Sequence, residues 1–401
     1  LATETDSVLG RQRAQALWPA SDPAVVRQRL GETREARGLL SRGPIPSLGR
    51  ATDIRAALER AAIPGARLSP ADLGAIADLV ETGAELRQAV RRAECSLGYL
   101  GRIAADLRPP LDAAREIRRC LRPDGGVADA ASATLARLRL QTRQAREEIR
   151  ETLQALLGAP HLHGIIAEPV ITLRNDRYVI PLLPQYRAAV AGIVQDQSGS
   201  GHTLFVEPLS VVDQNNAVRR LEREAEAEVE RILQELTGQV RAQREPLGLT
   251  LEAIAELDAI FAKARLAERW GAAEPHMALD GRLRLRGARH PLLVEARRTA
   301  TAVVEPIVPI DVTLERTARV LVITGPNAGG KTVALKTVGL LALMAQAGLP
   351  VLASPDSELP VFAAVTADIG DEQSIAADLS TFSAHMVRLR TILASAEPRS
   401  L

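Results

Sequence analysis

Residues 320–332 read Val-Leu-Val-Ile-Thr-Gly-Pro-Asn-Ala-Gly-Gly-Lys-Thr, an apolar, β-branched run that meets a glycine loop and a Lys-Thr pair. The run has the composition of a strand buried on both faces. Gly325–Thr332 match GxxxxGK(S/T) in full, and Val333, Leu335, Val338 and Leu341 then keep the spacing of an apolar helix face. Strand, loop and helix in that order are the context the motif requires, and they predict a nucleotide site. Gly325, Pro326, Asn327, Ala328, Gly329 and Gly330 would let successive N–H groups curl round phosphate oxygens at a helix N-terminus. Lys331 would set its ammonium on the β- and γ-oxygens of ATP, and the Thr332 hydroxyl would ligate Mg²⁺.

The lysine is informative because lysines are scarce. Of the 50 Lys+Arg residues only Lys263, Lys331 and Lys336 are Lys, the pattern of a GC-rich codon bias in which Arg is the default. Lys at 331 therefore points to a place where a compact charge serves and a planar fork does not. Hydrolysis also asks for an acid at the end of a second apolar strand. Val361–Ala367 followed by Asp368 is the candidate; either Asp368 holds Mg²⁺ or it begins a loop.

Composition sets limits around this motif. The 401 residues are 46% hydrophobic and 25% charged, with a net charge of +1, which suits a globular multidomain chain and excludes a polybasic tail. Aromatic residues are 2%, too few for a protein that reads single strands mainly by stacking. Cys95 and Cys120 form no framework, so a reducing cytoplasm is the default. The longest apolar stretch, 338–353, is broken by Gln346, Gly348 and Pro350, so no membrane span is expected.

Five segments follow along the chain. Residues 1–126 read as a helical core, with Ser69-Pro70 as a helix start and Leu73, Ile76, Leu79 and Val80 on one face. Residues 127–160 hold an amphipathic helix with Leu135, Leu138, Ala145, Ile149, Leu153 and Leu156 as its stripe. Residues 161–210 are β-rich, with turns at Arg174-Asn175-Asp176 and 196–201. Residues 211–274 return to helix, with a coiled-coil seam through Val218, Leu221, Ala225, Val229, Ile232, Leu236 and Val240. Two seams bracketing a short β-module predict an arm with a tip, though each helix also fits the surface of a bundle. Residues 275–401, with strands expected at 283–286, 303–308 and 320–324, form a separate α/β domain.

Thr324–Thr332, with Pro-Asn after the first glycine, resembles the P-loop of the MutS ATPases. Ala288-Arg-His-Pro291 is similar to the segment that opens the ATPase domain in that family near the nucleotide base, and Leu379–Met386 to its Ser-Thr-Phe signature. Residues 174–181, 196–201, 203–208 and 368–374 resemble the second bacterial branch of the family. That branch lacks the mismatch-reading and connector domains and carries a C-terminal Smr nuclease domain. The resemblance covers essentially the whole chain. It implies a multidomain α and α/β fold: helical core, long coiled-coil lever with a small β-containing clamp tip, then an ABC-type P-loop ATPase domain. It further implies a homodimer through the ATPase domains, with Ser380 and Thr381 of one copy reaching the γ-phosphate of the other and His290 contacting the base. In the family the acidic Walker B strand follows the signature, and this chain stops at 401 before it, so a fragment of a longer protein with weak turnover is expected.

The leading function is then an ATP-driven clamp on nucleic-acid assemblies. The resemblance points to branched DNA in recombination suppression and to collided ribosomes, with rRNA as partner and endonuclease activity in the Smr domain. Arg137, Arg139, Arg143 and Arg146 either grip phosphates or form a solvated helix face. A mismatch-repair sensor, a chromosome-organising coiled-coil ATPase and a nucleotide-binding fragment without turnover are the alternatives. Phe205-Val-Glu207 spells the mismatch wedge but lies in a β-pattern, and His161-x-His163 lacks a third metal ligand nearby.

Overall fold

Ser69 opens a helix as its sequence predicts: its hydroxyl accepts from the Asp72 N–H at 3.1 Å, while the Asp72 carboxylate accepts from the Ser69 N–H at 3.2 Å. Leu73, Ile76, Leu79 and Val80 are all fully buried along that helix. The computed structural model describes residues 1–401 apart from 93–97, 279, 300–305, 316, 319, 327–328 and 370–380, and gives the backbone alone for 381–385. Its helices are α1 (Val8–Gln15), α2 (Pro23–Leu40), α3 (Arg55–Ala62), α4 (Pro70–Arg92), α5 (Gly98–Ala105), α6 (Leu111–Cys120), α7 (Ala133–Leu157), α8 (Leu209–Ala242), α9 (Arg244–Trp270), α10 (Pro291–Thr299), α11 (Lys331–Gln346) and α12 (Thr381–Ser395). Two compact units result, one of Leu1–Asp53, Asp78–Pro110 and Glu245–Leu401, the other of Ile54–Ala77 and Leu111–Arg244.

In the second unit α7 and α8 pack along each other in opposite directions. Ser132 donates to Glu228 near one end, and Ile149 and Leu153 share a core with Val211 and Val218 near the other. Leu135 and Leu138 on α7 and Ile232, Leu236 and Val240 on α8 are buried, whereas Leu221, Ala225 and Val229 are only half-buried. Between the two helices lies an antiparallel sheet in the order β1-β2-β4-β3, from β1 (Thr172–Arg174), β2 (Arg177–Leu182), β3 (Gly192–Gln197) and β4 (Leu204–Pro208). Asn175 and Asp176 turn the first hairpin with positive φ, 49° and 58°, a conformation that short polar side chains tolerate. The helix expected to run on to residue 270 stops at Ala242. Pro246 explains the break: it has no N–H for the Ala242 carbonyl, so α9 restarts with the proline in its first turn.

In the first unit α9 is buried on nearly every side, from Leu247 to Ala267. Its Asp258 is fully buried and accepts from the Asp6 N–H (3.0 Å), the Ser7 N–H (2.8 Å) and the Ser7 hydroxyl (2.6 Å), which fixes the N-terminal segment. A four-stranded sheet takes the order β5-β8-β6-β7, from β5 (His276–Ala278), β6 (Leu283–Ala288), β7 (Ile310–Leu314) and β8 (Glu358–Pro360). Leu283, Leu285, Val312 and Leu359 of the sheet pack with Leu341 and Ala345 of α11.

Three expected strands differ. Residues 320–324 form no strand, and Val320, Leu321 and Val322 are 76%, 48% and 76% exposed. A parallel strand needs a ladder on each flank and cover on each face, and among the described residues none pairs with this run. Residues 306–309 lie outside any ladder, which begins at Ile310, while 303–305 fall outside the described residues. Val361 and Phe362 are buried, but 361–367 hold only a single bridge, Ala364 to Ser400.

Lys263 on α9 is buried within reach of Glu32 on α2. Burial first, offset in part by Glu32, pulls its pKa down to about 8. The unfolded chain keeps the ordinary value near 10.5, so between those limits it binds a proton that the folded chain has released. Stability should therefore rise as pH climbs from about 8 toward 10.5, and this rise should vanish in Lys263→Met. Thermal melts of both proteins across that range check the difference.

Candidate nucleotide site

The glycine loop gets its shape from two positive φ values. Gly325 sits at 151° and Gly330 at 78°, and Gly330 is the N-cap of α11, with its carbonyl accepting from the Ala334 N–H at 2.9 Å. Between them the Gly329 N–H donates to the Pro326 carbonyl at 3.0 Å, closing a tight turn. A Cβ at Gly329 would stand 3.1 Å from that carbonyl oxygen. Lys331 folds back over the loop and donates to the Gly325 and Pro326 carbonyls at 2.7 and 2.6 Å. Thr332 is exposed on the first turn of α11. Asn327 and Ala328 lie outside the described residues.

This loop forms one end of a cavity of about 570 Å³, a volume in the range of small-ligand sites. Gly329, Gly330 and Lys331 line it together with His290, Arg297 and Thr337. Its remaining wall is largely aliphatic, from Ile307, Val308, Ile310 and Leu293. No carboxylate lines it among the described residues. An electropositive end at a helix N-terminus and an apolar end suit a ligand with phosphates on one side and a flat ring on the other. His290 is half-buried, and burial with the nearby Lys336 charge lowers its pKa, so it stands neutral at pH 7. The helix beside it, α10, is tied down by Trp270, whose indole N–H donates to Glu295 at 2.6 Å.

Residues 321–401 match the family model described as MutS domain V. The whole chain is 45% identical over 405 residues to the Endonuclease MutS2 of Geobacillus thermodenitrificans, covering 100% of this chain and 50% of that protein. Identity is 41% over 401 residues to the Pelotomaculum thermopropionicum protein of that name, with the same coverage. It is 43% over 418 residues to that of Thermomicrobium roseum, covering 51% of it. Over its whole length the chain is similar to proteins of the MutS family. It spans about half the length of the curated MutS2 relatives it matches.

Asp368 and the α7 arginines do not line the cavity. Asp368 faces Arg388 on α12 at 3.5 Å and is absent from the cavity wall. Ser380 lies outside the described residues, and Thr381 begins α12. The arginines of α7 are engaged: Arg139 and Arg143 reach Asp129 at 2.6 and 3.8 Å, and Arg146 pairs with Glu222 at 2.5 Å. Arg137 donates to Gln141 at 3.2 Å. Arg139, Arg143 and Arg146 border a groove of about 820 Å³ that Glu222, Glu226 and Glu230 also line, so the groove presents both signs of charge. Phe205 is 9% exposed within β4, with the Arg174 guanidinium 4.2 Å above its ring, which leaves no wedge to insert. His161 and His163 are exposed beside a short turn, and among the described residues no cluster of metal-binding side chains occurs.

Arg297 and the aliphatic wall escaped the sequence reading. Residues 303–308, Val-Val-Glu-Pro-Ile-Val, carry two apolar pairs near the motif, and their β-branched composition reads as a strand rather than as a cavity wall. For the loop itself, an Arg in place of Lys331 would have to fit a planar fork between two carbonyls 2.6–2.7 Å from the present nitrogen. Lys331→Arg should weaken nucleotide binding about ten-fold, near 1.4 kcal/mol, with an unchanged melting temperature. Calorimetric titration with ATP and Mg²⁺ measures it.

Proposed function

We propose that this chain binds ATP with Mg²⁺ and belongs to an ATP-driven clamp that acts on nucleic-acid assemblies. The cavity carries the reading: Lys331 and the Gly329-Gly330 turn supply the phosphate end, and His290 with the aliphatic wall supplies the base end. In this reading the triphosphate displaces the Gly325 and Pro326 carbonyls as partners of the Lys331 ammonium. The Thr332 hydroxyl would hold Mg²⁺, which would offset phosphate charge. Ser380 and Thr381 approach the γ-phosphate from a second copy, so that the homodimer closes through its ATPase domains.

The domain plan belongs to the same proposal. Residues 1–126 form the helical core, 127–160 the ascending lever helix, 161–210 the β-rich clamp tip, 211–274 the descending lever helix and a return to the core, and 275–401 the ABC-type ATPase domain. The antiparallel packing of α7 on α8 with a sheet between them supports the lever and tip. For the longer parent, likeness to proteins named Endonuclease MutS2 supports a nuclease. Branched DNA and collided ribosomes, with rRNA contacts, are the assemblies we assign to it, in the cytoplasm. No helix among the described residues is long and apolar enough to cross a membrane.

One observation favours a narrower second reading for these 401 residues, nucleotide binding without turnover. No carboxylate lines the cavity among the described residues, and Asp368 is held by Arg388. Turnover assays separate the two. The chain should bind ATP yet release phosphate at the rate of a Lys331→Ala control. In the full-length parent the same substitution should abolish turnover and shift either the ribosome gradient or the recombination frequency. Binding unaffected by Lys331→Ala would remove both readings.

A further inference from the structure

Strand β4 passes into α8 without a loop, ending at Pro208 where the helix begins at Leu209. A strand that turns into a helix strands the ladder groups of its neighbours unless something replaces it. Here both flanks are continued. On the β3 side the Leu209 N–H, the first of the helix, donates to the Ala191 carbonyl at 2.9 Å. On the β2 side the pairing with β4 ends at Ile180 and Val206. Beyond it the side-chain amide of Asn215 takes the place of a strand. Its Oδ1 accepts from the Tyr178 N–H at 3.0 Å, and its Nδ2 donates to the Tyr178 carbonyl at 3.2 Å.

The same amide nitrogen donates to Glu207 at 2.9 Å. Glu207 is fully buried, and its carboxylate also accepts from Arg177 and from the Gln195 amide, each at 2.6 Å. Arg177 donates in turn to Asn216 at 2.8 Å. One polar network thus joins β2, β3, β4 and the first two turns of α8. Pro208 removes a backbone rotation at the junction. Gly192 lets β3 approach so closely that a Cβ would stand 2.4 Å from the Glu207 carbonyl oxygen. The α7 end differs. Between Leu157 and Thr172 lie a short turn, Pro160–Leu162, and one bridge, Ile166 to Leu182, flanked by two backbone bonds of 3.0 Å, Ala167 N–H to the Pro181 carbonyl and Leu183 N–H to the Ile165 carbonyl; α7 itself meets the sheet through apolar packing, Ile149 and Leu153 with Ile180, Leu182 and Val206.

We propose that α8 and the four-stranded sheet move as one rigid piece, with Asn215 and Glu207 as the joint, whereas the connection to α7 yields. Asn215 and Glu207 are positioning residues, since they act by holding the sheet on the helix. That a nucleotide-driven displacement reaches the tip through α8 rests on the clamp reading above; the rigidity of the joint does not.

The test measures distance. Nitroxide labels are placed at Leu173→Cys on β1 and Gln234→Cys on α8, in a chain whose Cys95 and Cys120 are Ala. Pulsed electron resonance should give one narrow distribution. Asn215→Leu, close in shape but without the amide, should broaden it about two-fold while the melt stays cooperative. A Gly-Gly insertion after Gly164, on the α7 side, should leave it narrow. Should Asn215→Leu fail to fold, Glu207→Gln, of equal shape with one acceptor turned to a donor, carries the same expectation. A narrow distribution in the folded variant, or equal broadening from the Gly164 insertion, overturns the proposal.

Discussion

A peptide group taken out of water has to find a hydrogen-bond partner, and in this chain that requirement decides where strands form and where they do not. Where the ladder runs short, side-chain amides replace it. Asn215 does so for Tyr178 at the edge of β2. Gln346 does so at the end of α11, accepting from the Phe362 N–H at 2.9 Å and donating to the Phe362 carbonyl at 3.0 Å. Where neither strand nor amide is at hand, as at 320–324, the backbone stays open and its apolar side chains with it.

The charges follow a similar economy of partners. Asp258 and Glu207 are wholly buried, and each is surrounded by donors, the condition under which a carboxylate survives away from water. Lys263 meets that condition only in part, and burial draws its pKa toward neutrality. At the cavity the balance is reversed. Lys331 rests on two carbonyls, His290 is neutral and no carboxylate lines the cavity among the described residues, a charge balance that would favour an anion.

Much of this was legible beforehand because it is local. The Ser69 cap, the stripe of α4, the positive-φ hairpin at Asn175-Asp176 and the glycines of the loop depend on neighbours within a few residues. Pro246 was passed over, because the seam running up to Val240 suggested a helix that continues through it. The α7 arginines show the limit. Their spacing on one helix face is evident in the sequence, but their partners, Asp129 and Glu222, lie 10 and 76 positions from Arg139 and Arg146. A cluster that reads as free for phosphate is already paired.

The sequence by itself determined the likeness to the MutS family, the glycine loop that leads into Lys331 and Thr332, and the order of helical and β-rich segments. Periodicity and motif chemistry act over short distances, and neither needs the folded chain. Only the tertiary structure decided that Arg297 and the aliphatic residues around Val308 share a cavity with that loop and with His290. It also decided that Asn215 and Glu207 weld a helix to a sheet, and that residues 320–324 are not a strand. Each of these depends on which distant backbone or side chain supplies the missing partner, and a linear pattern carries no record of that choice.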